Sequence, residues 1–152
     1  MRVLERRIDR WARACGAEAE AVTAARQAAR QVAARLVAEG LVDDAAYAAS
    51  RARSLGRSGH SRRAVAAHLA GRGIAAEVAY AALPDDPAAE LTAAVLFTRR
   101  RRIGAFGPAD GSDPRKALGM LARAGFAREV AEAALRMELD AAEALVLAAR
   151  QA

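Results

Sequence analysis

The stretch RAVAAHLAGRGIAAEVAYAAL at residues 63–83 recurs as RKALGMLARAGFAREVAEAAL at residues 115–135, and this repeat decides the fold. With Gly73 set on Gly125, 11 of 21 positions are identical, 5 of them alanine pairs that carry little weight in so Ala-rich a chain. The informative matches are Arg63/Arg115, Leu69/Leu121, Gly73/Gly125, Glu77/Glu129, Val78/Val130 and Leu83/Leu135. A unit of this size cannot bury an apolar face alone, so the repeat predicts stacked supersecondary units sharing a continuous core.

Each copy reads as a short helix, a glycine turn and a second short helix. In the first copy Ser61 is the N-cap of residues 62–70, with Val65 and Leu69 as the apolar stripe; Gly71 and Gly73 end it, and Val78 and Leu83 mark the helix that follows. In the second, Asp113 caps a helix over 114–124 that opens on Pro114, a residue suited to a first helical turn, and a further helix spans 126–137. A longer helix precedes each pair: one capped by Asp43 or Asp44 and carrying Tyr47 and Leu55, the other over 88–102 after the break PDDP at 84–87. Residues 104–113 read as a loop. Further upstream, Val3, Leu4, Ile8 and Trp11 predict an amphipathic helix over 2–14, and Val22, Val32, Leu36 and Val37 a second over 18–39 closed by Gly40. Residues 138–152 continue as a loosely attached helix. No segment has strand periodicity. The expected fold is all-α: an elongated array of three-helix repeats, with an incomplete first repeat over 1–40, a second over 41–87, a third over 88–137 and a helical tail over 138–152.

Composition agrees with thin helix-to-helix packing, because 54% of the 152 residues are apolar yet only 4% are aromatic. The formal charge of +6 points to an anionic partner such as nucleic acid or an acidic protein surface. Lys116 is the sole lysine among 24 basic residues, and arginine makes the bidentate phosphate and carboxylate contacts that lysine cannot. A GC-rich coding sequence would enrich arginine and alanine as well, without removing the capacity of those side chains to bind.

Catalytic chemistry has little foothold. His60 and His68 lack metal-ligand spacing, Cys15 at a helix end reads as a small packed residue, and neither a P-loop nor a dinucleotide-binding turn occurs. The chain is therefore read as a non-enzyme with no cofactor and no metal. A lone cysteine leaves no internal disulfide, and no apolar run approaches the roughly 20 residues of a membrane span, so the reducing cytoplasm is the expected compartment, with no membrane partner. A monomer is expected.

The basic clusters are the candidate contacts. Arg51, Arg57, Arg62 and Arg63, with Arg53, surround the loop GRSGHS, where backbone N–H groups behind Ser61 offer an anion-binding helix start. Arg99, Arg100, Arg101 and Arg102 occupy a last helical turn, where cations also complement the helix dipole. Arg72 and Arg123 follow equivalent apolar stripes, and Arg115 repeats Arg63. Tyr47, Tyr80, Phe97, Phe106 and Phe126 read as core or turn anchors rather than base-stacking platforms, which leaves salt-dependent backbone contacts as the mode of any DNA binding.

The order of these motifs resembles the RecX family, regulatory proteins of the RecA recombinase. The resemblance rests on Val42, Asp43, Asp44, Tyr47 and Ala48; on Gly59, Ser61, Leu69, Gly73 and Ile74; and on the cluster Arg99–Arg102 followed by IGAFGP and the turn Gly125-Phe126. It covers residues 36–137 well and the first 35 loosely. It implies a crescent of three three-helix repeats that lies in the groove of the RecA filament on DNA and limits filament extension, ATP hydrolysis and strand exchange in recombination and repair. Two departures stand out: the chain starts at what resembles the second helix of the first repeat, and Ala75 and Ala127 stand where a capping Asp or Ser is often found. The residues themselves leave two other readings open, a general nucleic-acid-binding helical protein without a RecA partner and a protein-interaction scaffold.

Overall fold

The computed structural model describes residues 2–40, 43–83, 85–108 and 113–151, and Val42 of the resemblance lies outside them. Among the described residues the chain forms α-helices joined by turns and no strand. These are α1 (Arg2–Cys15), α2 (Ala19–Ala38), α3 (Asp44–Arg57), α4 (Arg62–Gly71), α5 (Ala76–Ala81), α6 (Pro87–Arg101), α7 (Pro114–Arg123), α8 (Arg128–Arg136) and α9 (Leu139–Gln151), with a single 3-10 turn at Gly104–Phe106. No described helix is long and apolar enough to cross a membrane.

Side-chain caps set most of the starts. The carboxylates of Asp43, Asp86 and Asp113 accept from the backbone N–H groups of Ala46, Ala88 and Arg115, and the Ser61 hydroxyl accepts from that of Ala64. Pro87 and Pro114 open α6 and α7, where a missing N–H costs nothing. At α5 and α8 the cap positions are Ala75 and Ala127, and neither supplies a side-chain acceptor.

Two apolar cores follow from these helices. Helices α3, α4 and α5 bury Ala48, Ala52, Leu55, Val65, Leu69, Ile74, Ala79 and Leu83. Helices α6 to α9 enclose a second core in which Phe97 and Phe126 meet edge to face, their centroids 5.8 Å apart, beside Val95, Leu121, Ala131 and Val146. Helix α1 packs along α2, and α2 buries no residue. The accessible surface is 10347 Å², against about 7,350 Å² for a compact domain of the same mass, so the array is extended.

Three expectations need correction. Tyr47 and Tyr80 are not core anchors, being 41% and 60% exposed. The faces of α3 and α5 that turn inward carry Ala48, Ala52 and Ala79 instead, because helices meeting through alanine approach too closely for a tyrosine ring between them. Cys15 is exposed rather than packed. Helix α9 is no loose tail: Ala142 and Val146, one turn apart, are buried in the second core and seat it against α6.

Candidate functional site

The loop Ser58–Arg62, between α3 and α4, lies antiparallel along α6 and joins the two cores. At one end Arg100 Nη1 donates to the Ser58 carbonyl at 2.8 Å. In the middle Gly59 adopts φ +74° and lies so close to α6 that an added Cβ would fall 2.8 Å from the Phe97 nitrogen and 3.2 Å from the Ala93 carbonyl oxygen. Only glycine fits there. At the other end the Arg62 N–H donates to the Glu90 carboxylate, at 3.0 Å to one oxygen and 3.3 Å to the other, and the Arg62 guanidinium pairs with Asp85. Ser61, fully buried, donates from its hydroxyl to the Ala124 carbonyl at 2.6 Å, which ties α4 to the turn between α7 and α8.

This arrangement corrects the anion site expected at the start of α4. Two of its N–H groups are already taken, that of Ala64 by Ser61 and that of Arg62 by Glu90. Burial pushes the Glu90 carboxyl above the usual carboxylate range, outweighing the opposing pull of the Arg62 N–H and guanidinium. The chain's own carboxylate thus fills the place proposed for a phosphate. No sequence pattern announces this, since Glu90 lies 28 residues from Arg62.

The eleven candidate arginines divide by what they touch. Arg51 is half-buried and its Nε donates to His68 Nε2 at 3.3 Å. Burial, then Arg51, Arg72 and His60, hold His68 below the ordinary histidine value, as an imidazole that accepts this bond must remain neutral. Arg62 is committed to Asp85. Arg100 and Arg101 each place the guanidinium carbon 5.6 Å from the centroid of the Phe97 ring, a cation–π distance. Arg102 ends α6 in the left-handed conformation at φ 54°. Arg57, Arg63, Arg72, Arg99, Arg115 and Arg123 are exposed and form no ion pair among the described residues.

Two clusters some forty residues apart in sequence are brought together. The bond from Arg100 to Ser58 sets the end of α6, with Arg99, beside the end of α3, with Arg57. Arg63 is a near neighbour of the Gly125 turn, since a Cβ there would lie 3.3 Å from its own; Arg123 stands two residues away along α7. Arg57, Arg99 and Arg100 thus flank one end of the Ser58–Arg62 loop, and Arg63 and Arg123 lie near the other, by the Gly125 turn. Among the described residues there is no group of three or more metal-ligating side chains.

Sequence comparison agrees with the geometry. The family model described as RecX, second three-helix domain, matches residues 43–83, which are α3 to α5 and the turns between them. The regulatory protein RecX of Myxococcus xanthus (strain DK1622) is 36% identical over 136 residues, covering 86% of this chain and 71% of that protein. No solved structure matches. A three-helix repeat matched in place, and a relative of this identity aligned over most of both chains, place the protein in the RecX family of regulatory proteins.

Proposed function

We propose that the protein inhibits RecA by binding the RecA–DNA filament in the cytoplasm as a monomer, with no catalytic step of its own. The observation that supports this reading most is that exposed arginines flank both ends of the loop joining the two cores, Arg57, Arg99 and Arg100 at one and Arg63 and Arg123 at the other, in a member of a regulatory family. An extended array offers a long surface to a filament, and exposed arginines suit both acidic protein patches and DNA phosphates. Arg72 and Arg115 extend the same basic character along the array, while Arg51, Arg62, Arg101 and Arg102 shape the surface more than they contact a partner.

The test is binding of fluorescently labelled protein to RecA filaments on single-stranded DNA, to the same DNA alone and to RecA alone, at matched salt. Tighter binding to the filament than to either component supports the proposal. Equal binding to bare DNA and to the filament makes it a general nucleic-acid-binding protein, and binding to neither overturns the reading.

A further inference from the structure

A cleft of about 550 Å³ opens between α3 and α9 with α6 as its floor. Its walls are apolar and made largely of small residues: Ala52 and Gly56 from α3, Ala93 and Leu96 from α6, Leu145 and Ala148 from α9. Small residues on three helices let the backbone of a fourth come close, and the volume lies in the range of formed binding pockets. The rim is charged asymmetrically. Arg53 and Arg57, one turn apart on α3, stand on one side, both exposed and neither in an ion pair among the described residues. On the floor helix, Asp86 caps α6 and Glu90 accepts from the Arg62 N–H, so these acids are already engaged within the fold.

We infer that this cleft is a docking groove for an amphipathic helix of a protein partner, whose apolar stripe lies on the alanine floor. Two carboxylates one turn apart along that helix face Arg53 and Arg57. The pairing fixes the chemistry and the edge: the docked helix runs beside α3 with its acidic edge towards it. A nucleic acid suits the groove less well, because phosphates gain nothing from the apolar floor and, among the described residues, no Phe, Tyr or Trp lines it for base stacking. The inference deepens the proposed function by assigning a protein-contacting groove that shares Arg57 with the arginine cluster at the end of α3. It rests on that reading only for the partner's identity.

The test uses the whole chain and a synthetic amphipathic helical peptide with a leucine stripe flanked by two glutamates one turn apart, beside a twin with lysines in their place. Titration by calorimetry should show the glutamate peptide binding about tenfold more tightly, since two rim ion pairs become two repulsions in the twin. Arg53→Glu with Arg57→Glu should reverse that order. Ala148→Trp and, from the floor side, Ala89→Trp fill the groove from exposed positions and should abolish binding of both peptides. Ala122→Trp, on the exposed face of α7, should leave it unchanged. Circular dichroism checks that each variant keeps its helices. Equal affinity for the two peptides, no binding up to about 1 mM, or full binding by both groove-filling variants overturns the inference. Peptide binding by a protein that ignores RecA filaments would refute the RecA reading while leaving the groove in place.

Discussion

Gly73 and Gly125 are equivalent in the repeat and have nearly the same backbone, φ +90° and φ +92°, yet replacement by alanine should cost very different amounts. At Gly73 nothing lies within 4 Å of an added Cβ, so the cost is that of an L-residue in a left-handed turn, about 1–2 kcal/mol. At Gly125 the same Cβ would fall 2.7 Å from Ser61 Oγ. The buried hydroxyl must then move off the Ala124 carbonyl and loosen its cap on Ala64, and a buried polar group left unpaired costs about 1–3 kcal/mol more. Gly125→Ala should therefore destabilise by about 3 kcal/mol. With a urea m-value of about 2 kcal/mol/M, the midpoint should fall by about 1.5 M, against about 0.7 M for Gly73→Ala. A double-mutant cycle with Ser61→Ala isolates the cause, because removing the hydroxyl removes the obstacle. The Gly125→Ala penalty should shrink by about 1 kcal/mol in the Ser61→Ala background. Strict additivity, or equal midpoints for the two glycine variants, would refute the claim that the Ser61 contact joins the cores.

Other outcomes follow from the same contacts. His68 is held below its ordinary value near 6.5, so the unfolded chain takes up its proton at a pH where the folded chain does not, and stability should fall as pH drops below that value. His68→Gln, which keeps an acceptor for Arg51 Nε, should flatten this part of the stability profile measured by urea titration. Arg102→Gly should raise stability by about 1 kcal/mol, because Arg102 ends α6 at a positive φ that glycine adopts without strain; an unchanged midpoint would contradict that backbone account. Arg57→Ala with Arg99→Ala should leave the helical signal intact. If both side chains neutralise phosphates, this pair should make the salt dependence of DNA binding shallower by about 1.5–2 in log–log slope.

Local features were readable in the sequence because they depend on neighbours. The caps at Asp43, Ser61 and Asp113, the uncapped starts at Ala75 and Ala127 and the paired glycine turns all follow from residues within one helical turn. What was not readable depends on partners far along the chain. Ser61 reaches a carbonyl 63 residues away, and Glu90 fills a helix start that, seen locally, looks open to a phosphate. Side-chain size also misled: Tyr47 and Tyr80 look like anchors, whereas close helix packing selects alanine and leaves the tyrosines outside. The arginine clusters were visible as charge, but only the bond from Arg100 to Ser58 shows that two of them meet. Asp86 capping α6 from within the break PDDP, and Ala142 and Val146 one turn apart on α9, are local signals as well, but the core that α9 seats against is formed by distant helices.

The most direct measurement is DNA-dependent ATP hydrolysis by RecA on single-stranded DNA, with the protein added in increasing amounts. Substoichiometric amounts should lower the steady-state rate, and Arg57→Ala with Arg99→Ala should weaken the effect without loss of helical structure. A rate that stays unchanged in stoichiometric excess of this protein, while the protein is folded and RecA active, would contradict the proposed inhibition.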